Sequence, residues 1–311
     1  MLPDESKAII QELKDPLFKE NEIRLFIKRE DLIHPEISGN KWRKLKYNLK
    51  EARAQNLSTL LTFGGAFSNH IAAVAAAGKL FDFKTIGIIR GEERAAKNPT
   101  LTKAGENGME LYFISREVYR MKSNSDFISQ LTKKYGSFYL LPEGGGNDLA
   151  IKGSREIVAQ IDQPFDVICC PVGTGGTITG IIASVDKSIN VYGFPALKGN
   201  FLKKDIEILL SPIPGHKLPE WRLFNDYHFG GYAKITNELE GFMEDFKRIN
   251  SILLDPVYTG KMMFGIYDLI KKDHFPKGTK IIAIHTGGLQ GIEGFDYMKK
   301  PRQELKNPNV V

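Results

Sequence analysis

Short apolar runs alternate with longer segments of helical periodicity along most of the chain. The runs typical of buried strands are RLFIKRED (24–31), STLLTF (58–63), KTIGIIR (84–90), the end of LTKAGENGMELYFIS (101–115), FDVICCPV (165–172), VYGFPAL (191–197) and TKIIAIHTGG (279–288). Helical spacing is found in KWRKLKYNLKEARAQ (41–55), HIAAVAAAGKLF (70–81), the start of 101–115, about 150–160 and ITGIIASV (178–185). Strands that alternate with helices predict an α/β fold with mostly parallel sheets, and two such series predict two domains.

Glycine-rich turns follow several of these strands, at the sheet edge where ligands of α/β proteins bind. The clearest is GTGGT, Gly173–Thr177, between a strand and a helix. Consecutive glycines let backbone N–H groups converge on an anion, and the helix start adds positive charge. Thr174 and Thr177 add hydroxyl donors. We predict a phosphate cradle here, and the alternative is a tight turn that only needs glycine for its backbone. Ile178 breaks the dinucleotide pattern GxGxxG.

A second turn of this kind is LTFGGAFSNH (61–70), which places Ser68 before the next helix. Free N–H groups at a helix start can bind a carboxylate, and Ser68, Asn69 and His70 lie at that position. The alternative is ordinary N-capping by Ser68.

Four cations crowd the first turns of the helix in SGNKWRKLK (38–46), which is the unfavourable end for positive charge by about 0.3–1 kcal/mol each. Lys41 precedes Leu45 by one turn and therefore lies beside the apolar face. Desolvation next to a positive helix end should lower its pKa, so that its neutral amine can form a Schiff base. Lys44 and Lys46 are expected to form a solvated basic face.

Two tyrosines near the end of the chain are candidate proton donors or hydrogen-bond clamps. Tyr232 lies in FGGYAKITNEL and Tyr258 in LDPVYTGK. A single tyrosine after a strand is more often a core residue with a polar tip. His285 of the HTGG turn is more often structural than catalytic. No HExxH or EF-hand pattern occurs, so we predict no catalytic metal.

Composition narrows the function class. The 311 residues carry 43 Lys plus Arg and 37 Asp plus Glu, a net charge of +6 that suits small anionic ligands as well as nucleic acid. Because no helix-turn-helix, zinc-finger or aromatic RNA-binding signature occurs, we predict no nucleic-acid partner.

The acidic start of the chain does not resemble a signal peptide, and no 18-residue apolar stretch occurs. We therefore expect a cytoplasmic protein without a membrane partner.

Taken in order, these segments resemble a known enzyme family. KREDLIHPEISGNKWRKLKY, GGAFSNH, LLPEGGGN, PVGTGGT, LDPVYTGK and HTGG are similar to segments of pyridoxal-phosphate enzymes of the tryptophan-synthase-β fold type, above all the 1-aminocyclopropane-1-carboxylate deaminase and D-cysteine desulfhydrase family. The resemblance implies a two-domain, three-layer α/β/α fold and a homodimer that acts on a small amino acid. The implied large cofactor domain comprises 1–43 and 152–311, and the implied small domain, 44–151, closes over the substrate.

The same resemblance implies roles for individual residues. Lys41 would be the Schiff-base lysine for pyridoxal 5′-phosphate, and Gly173, Thr174, Gly175, Gly176 and Thr177 would hold its phosphate. Ser68, Asn69 and His70 would bind the substrate carboxylate, with Asn69 also near the cofactor's 3′ oxygen. Tyr258, Tyr232 and Ser68 would be catalytic, and Thr259 and Thr286 would line the cofactor, with Thr259 at its pyridine nitrogen.

Thr259 and Thr286 also bear on the substrate. The family's deaminases have Glu and Leu at these positions, and threonine is the desulfhydrase-like choice. A carboxylate keeps the pyridine nitrogen protonated, and opening a cyclopropane depends on this more than loss of a thiolate does. We therefore expect conversion of D-cysteine to pyruvate, ammonia and sulfide. Alternatives are deamination of 1-aminocyclopropane-1-carboxylate, dehydration of serine or threonine, or a cofactor-binding protein without these activities.

Overall fold

The computed structural model describes residues 1–91, 98–213 and 218–299 of the chain. Its strands are β1 (Ile10–Glu12), β2 (Arg24–Lys28), β3 (Thr59–Gly65), β4 (Lys84–Arg90), β5 (Met109–Ile114), β6 (Tyr139–Leu141), β7 (Val167–Val172), β8 (Asn190–Pro195), β9 (Trp221–Leu223) and β10 (Lys280–Ile284). Its helices are α1 (Pro16–Glu20), α2 (Asn40–Ala54), α3 (Asn69–Phe81), α4 (Pro99–Glu106), α5 (Arg116–Tyr119), α6 (Ser125–Tyr135), α7 (Asp148–Ala159), α8 (Gly176–Ile182), α9 (Phe201–Leu210), α10 (Asn237–Asn250), α11 (Thr259–Lys271) and α12 (Gln290–Lys299). The predicted α/β class with mostly parallel sheets is confirmed.

The larger sheet has six strands in the order β1-β2-β10-β7-β8-β9, and only the β1–β2 pair is antiparallel. Its central strands are apolar on both faces because helices cover both sides, as in other parallel sheets. On one face, α11 packs its buried side chains against this sheet, while α8 covers the other. The carboxyl ends of β7 and β10 therefore lie at one edge, where both continue into glycine turns.

The smaller sheet is fully parallel in the order β5-β4-β3-β6. Its core is the alanine-rich face of α3, whose small side chains let the helix approach β3 closely. Gly65 at the end of β3 is in register with Arg90 at the end of β4. All strands of this sheet lie between 59 and 141, and the predicted boundary at 43/44 falls inside α2. The division into two domains at the stated residues stays a prediction.

Several element boundaries differ from the sequence-based prediction. The predicted strand 24–31 ends at Lys28, because Glu30–Leu32 turns into a short 3₁₀ helix. The predicted helix 178–185 starts two residues earlier, at Gly176, and ends at Ile182. The sequence analysis did not predict helices α10 and α11. It also missed the strands β1, β6 and β9, because strands of three residues carry too little alternation to stand out.

The basic start of α2 is held by acids from distant parts of the chain. Arg43 is fully buried, and its guanidinium donates to Glu30 at 2.7 Å and pairs with Glu5. Lys46 pairs with Glu5 at 2.8 Å and with Glu156 of α7. The expectation that Lys46 belongs to a solvated face is therefore wrong. The carboxylates of Glu5 and Glu156 are far from Lys46 in the sequence and reach it only through the tertiary fold. Such a paired, hydrogen-bonded cluster fixes the position of the helix start, because removing one partner would leave a charge buried alone.

Candidate active site

The turn after β7 offers backbone donors that the chain itself leaves uncapped. Gly175 adopts a left-handed backbone with φ +84°, and α8 starts at the next residue with no side-chain cap. The first N–H groups of a helix have no partner within the helix, so this start can donate to an anion. Thr177 Oγ1 accepts from Asn40 Nδ2 at 2.9 Å, which links the turn to the start of α2. Thr174 is exposed and lies beside Gly144.

Lys44 faces this turn and is buried. Its Nζ lies 3.4 Å from the place where a Cβ on Gly176 would be, and it donates to the carbonyl oxygen of Gly144 at 2.9 Å. Burial, together with the positive charge of Lys41, lowers the pKa of Lys44 to about 7. The prediction that Lys44 is solvated is wrong. It lies three residues after Lys41 and so on the same helix face, a spacing visible in the sequence.

Lys41 lies in the first turn of α2, against the HTGG turn. Gly39 precedes the helix with φ +62°, and a Cβ there would clash with the carbonyl oxygen of Thr286. The same oxygen accepts from the backbone N–H of Asn40 at 3.2 Å. Burial lowers the pKa of Lys41 from 10.5 to about 8, while the negative charge of Asp255 opposes the shift. The expected direction of this pKa is confirmed, and the amine is partly neutral near physiological pH.

The turn after β3 brings Ser68 and Asn69 to a partly exposed position. Ser68 Oγ accepts from the backbone N–H of Ile71 at 3.3 Å and thus caps α3, as predicted. Asn69 reaches across to the other sheet, where its Nδ2 lies 2.8 Å from the place of a Cβ on Gly288. Asn69 therefore spans the cleft between the turn after β3 and the turn after β10.

His70 lies deeper than its neighbours and is 2% exposed. Thr62 Oγ1 donates its proton to the carbonyl oxygen of Leu141 at 2.9 Å, so it accepts from His70 Nε2–H at 3.0 Å. His70 Nδ1 is then a bare acceptor without a partner, beside Gly145. Burial and the charges of the two lysines hold the pKa of His70 well below its usual value, so the ring is neutral. Its contact with a substrate carboxylate stays a prediction.

Tyr258 and Tyr232 lie together, with ring centroids 6.1 Å apart. The Tyr258 hydroxyl lies 3.2 Å from the place of a Cβ on Gly173, next to the uncapped turn. Burial raises the pKa of Tyr258, and the neighbouring Tyr232 and Asp255 raise it further, so it keeps its proton. Tyr232 is 40% exposed. The pair therefore runs from the buried turn to the solvent.

Asp255 organises the start of α11 and was not singled out from the sequence. Its buried carboxylate accepts from the backbone N–H groups of Val257, Tyr258 and Thr259 at 2.8–2.9 Å. It also accepts from the Thr259 hydroxyl at 2.7 Å, so the Thr259 proton points toward Asp255. Tyr258 is the N-cap of α11 and makes no side-chain cap, so Asp255 takes over this task from a position further upstream.

Lys261 holds the segment that carries Tyr232. Its buried Nζ donates to the carbonyl oxygens of His228 at 2.8 Å and Gly231 at 2.7 Å. Burial lowers its pKa to about 8, and the charge of Asp255 opposes the shift. Lys261 therefore ties the loop before Tyr232 to the helix that starts beside Tyr258. Its place in LDPVYTGK, three residues after Tyr258, was the only signal in the sequence.

These features fit pyridoxal phosphate. An uncapped helix start beside a buried cation suits its phosphate dianion, and the unpartnered Nδ1 of His70 suits a polar ligand atom. A lysine with a pKa of about 8, such as Lys41, suits covalent attachment of the cofactor through the aldehyde group of the cofactor. Within the described residues, no three acidic, histidine or cysteine side chains are grouped to hold a metal, and no helix is long and apolar enough to cross a membrane.

Comparison with known proteins gives an independent result. The family model for pyridoxal-phosphate-dependent enzymes matches residues 12–287. The chain is 32% identical over 289 residues to a provisionally named 1-aminocyclopropane-1-carboxylate deaminase of Pyrococcus abyssi, covering 87% of this chain and 86% of that one. It is 31% identical over 301 residues to the bifunctional D-cysteine desulfhydrase/1-aminocyclopropane-1-carboxylate deaminase of Arabidopsis thaliana, covering 88% and 74%. The crystal structure of an ACC deaminase homologue superposes with a TM-score of 0.81 at 29% identity, covering 94% and 92%.

Proposed function

The chain belongs to the pyridoxal-phosphate-dependent enzymes, in their 1-aminocyclopropane-1-carboxylate deaminase and D-cysteine desulfhydrase family, and from this premise we propose that it is a D-cysteine desulfhydrase. The reaction consumes D-cysteine and water and releases pyruvate, ammonia and hydrogen sulfide. The observation that carries the proposal is the neutral, buried Thr259 at the start of α11.

Lys41 has two tasks in this proposal. Pyridoxal phosphate, when bound, supplies an electron-withdrawing ring that stabilises negative charge at the α-carbon of the amino acid. Lys41 would hold the cofactor, and its Nζ would take the α-proton of the substrate. A pKa of about 8 supports the second task, because a base must be partly neutral at working pH to accept a proton.

Thr259 sets the preference between the two candidate reactions. Its side chain carries no charge, and its hydroxyl proton is directed to Asp255 Oδ2. A cofactor pyridine nitrogen beside Thr259 would therefore have no carboxylate partner to keep it protonated. Ring opening of a cyclopropane has no good leaving group and suffers more from this than loss of a thiolate does.

Tyr258 is the proposed donor to the departing sulfur. Its raised pKa keeps the hydroxyl protonated, so that it can donate as the carbon–sulfur bond breaks. Lys261 acts on this pair as a positioning residue, since it holds the loop before Tyr232. Ser68 and Asn69, with the backbone N–H groups at the start of α3, are proposed to hold the substrate carboxylate.

The test compares two products with one pair of variants. Wild-type holoenzyme should release sulfide from D-cysteine and little 2-oxobutanoate from 1-aminocyclopropane-1-carboxylate. Thr259→Glu should shift the ratio of the two kcat/KM values toward ring opening by about tenfold, since one unit of ring-nitrogen pKa corresponds to about 1.4 kcal/mol. Thr132→Glu, on the exposed face of α6, is the matched control and should leave the ratio unchanged.

Two results contradict the proposal. One is efficient ring opening by the wild type with no sulfide from D-cysteine, which would make the chain a deaminase. The other is a Thr259→Glu variant that folds and binds the cofactor yet keeps the wild-type ratio.

A further inference from the structure

A cationic cavity of about 360 Å³ opens on the surface of the part of the chain that carries the smaller sheet. It is lined by Arg90, Arg116, Tyr119, Arg120 and Lys122. Arg90 ends β4, and the other four residues come from α5 and the turn after it. Four positive side chains thus surround one concave space, and among the described residues none that line it is acidic.

These cations are poorly neutralised by the chain. Lys122 pairs with Glu143 at 3.3 Å. Across the described ranges, Arg90, Arg116 and Arg120 make no ion pair with any carboxylate. Like charges that share a concave site repel one another, and an anion that enters relieves this repulsion and meets planar donors suited to an oxyanion.

Tyr119 provides a second, independent sign of a ligand. It is 2% exposed, and among the described residues its hydroxyl makes no hydrogen bond of ordinary geometry, although the Glu143 carboxylate lies near enough to act on it. Arg90 and Lys122 lie over its ring, 5.4 and 5.3 Å from the centroid. Burial raises the pKa of Tyr119, and the nearby Glu143 raises it further, so the hydroxyl keeps its proton. A buried hydroxyl without a well-placed acceptor is costly, and an anion in the cavity would supply one.

The cavity adjoins the candidate active site. Arg90 is in register with Gly65, and its Nη2 lies 3.6 Å from the place of a Cβ on that glycine, three residues before Ser68. On the opposite side of the cleft, burial raises the pKa of Tyr232 and the charge of Arg90 opposes this rise. Arg90 therefore lies close to the turn that carries Ser68, and its charge also reaches Tyr232.

We propose that this cavity is a second anion-binding subsite, built to take an oxyanion of the carboxylate, sulfate or phosphate class carried at the far end of an amino-acid ligand. Arg90 and Tyr119 are its central donors, and Arg116, Arg120 and Lys122 supply the surrounding charge. The inference rests on the proposed function only in assuming that the α-carboxylate binds at Ser68 and Asn69. It extends the ligand class from small neutral amino acids to those with a second acidic group.

The test uses matched amino acids that differ only in the distal charge. Binding of D-glutamate and D-glutamine to the holoenzyme is measured from the change in visible absorbance of the bound cofactor, which requires no turnover. The wild type should bind D-glutamate at least tenfold more tightly than D-glutamine, since a hydrogen bond to a charged group contributes that much. Arg90→Gln should abolish the preference, and Tyr119→Phe should lower it about threefold. Arg248→Gln, a surface arginine of α10 paired with Asp245, is the control and should keep it.

A second arm separates a ligand's own acidic group from a free anion. Sulfate is titrated into the holoenzyme by calorimetry at constant ionic strength. If the subsite serves the distal group, sulfate should weaken binding of D-glutamate but not of D-glutamine. If it serves a free oxyanion, sulfate should bind in a manner that requires Arg90 while the wild type shows no preference between the two amino acids.

The subsite is disproved if neither the preference nor sulfate binding changes in Arg90→Gln and Tyr119→Phe. Failure of the proposed function is distinguishable from this result. An enzyme that releases no sulfide from D-cysteine, yet shows the Arg90-dependent preference, contradicts the proposed reaction and leaves the subsite standing.

Discussion

The turns after β7 and β3 have the same arrangement, in which a strand ends in glycines before a helix. They differ at the residue that directly precedes the helix, which is Gly175 after β7 and Ser68 after β3. The turn after β7 starts α8 without a side-chain cap and has the buried cation of Lys44 beside it. The turn after β3 ends in Ser68, the N-cap of α3, whose hydroxyl already accepts from the backbone N–H of Ile71. The N–H groups at a helix start need acceptors, so the first turn leaves all of them open to a ligand, whereas Ser68 satisfies one in the second turn and leaves the others open.

This difference explains how two anions can be treated differently by one site. A phosphate at the first turn meets free donors and a cation and can stay bound through many turnovers. A carboxylate at the second turn competes with an existing cap and has no buried lysine of its own. Weak, exchangeable binding there suits a substrate, which has to leave again as product.

The largest expected effect removes the cation from the first turn. Lys44→Met should weaken cofactor binding about 100-fold, because a charged hydrogen bond to the phosphate is lost. Equilibrium dialysis of the cofactor, followed by its visible absorbance, measures this. Lys50→Met is the matched control, since Lys50 is an exposed lysine of the same helix, and should leave the affinity within threefold.

The same variant has an opposite effect on the cofactor-free protein. The folded pKa of Lys44, about 7, lies below the 10.5 of an unfolded lysine. Protonation of Lys44 therefore costs folding free energy, and this cost grows as pH falls from 10.5 to about 7 and is fully present below that. Cofactor-free Lys44→Met should therefore be at least as stable as the wild type at pH 6 by denaturant unfolding. A clear loss of stability there would mean that Lys44 has a structural role.

A smaller effect concerns Lys41, whose pKa the structure places near 8. The rate of covalent attachment at saturating cofactor should rise about tenfold between pH 7 and pH 9 and then level off, following the neutral amine. Stopped-flow absorbance measures this profile. Asp255→Asn should move the midpoint to lower pH, because Asp255 raises the pKa of Lys41. A rate that still climbs above pH 10 would mean that Lys41 is solvated.

The smallest effect concerns the cap of the second turn. Ser68→Ala should lower the free energy of unfolding by about 1 kcal/mol and reduce kcat/KM, with the cofactor still bound. Thr236→Ala is the matched control, because Thr236 caps α10 with the same geometry, hydroxyl to N–H at 3.3 Å, on the surface. It should cost similar stability and keep kcat/KM. Equal losses of activity in both variants would remove Ser68 from the site.

The sequence predicted the longer strands, the helices that follow several of them and both turns, because apolar periodicity and glycine at strand ends are local signals. It predicted the cap by Ser68 and the lowered pKa of Lys41 for the same reason. It failed for Lys44, which looked like one of several surface cations. What buries Lys44 is the loop at 143–146, about 100 residues away, and no local pattern indicates that contact.

Pairing across long distances also explains the other omissions. Arg43 meets Glu5 and Glu30, and Lys261 meets the carbonyl oxygens of His228 and Gly231, through tertiary contacts of the folded chain. The cavity around Tyr119 joins the end of one strand to a separate short helix. Closure of the small domain and the homodimer stay predictions.

The order of strands in the larger sheet has a consequence for synthesis of the chain. β10, which comes last, lies between β2 and β7, which come early and midway. The smaller sheet, contiguous in sequence, can form while the ribosome is still working. Until residues 280–284 emerge, β2 and β7 each present an unpaired edge open to other chains. Chains cut short before β10 should therefore aggregate rather than persist as partly active enzyme.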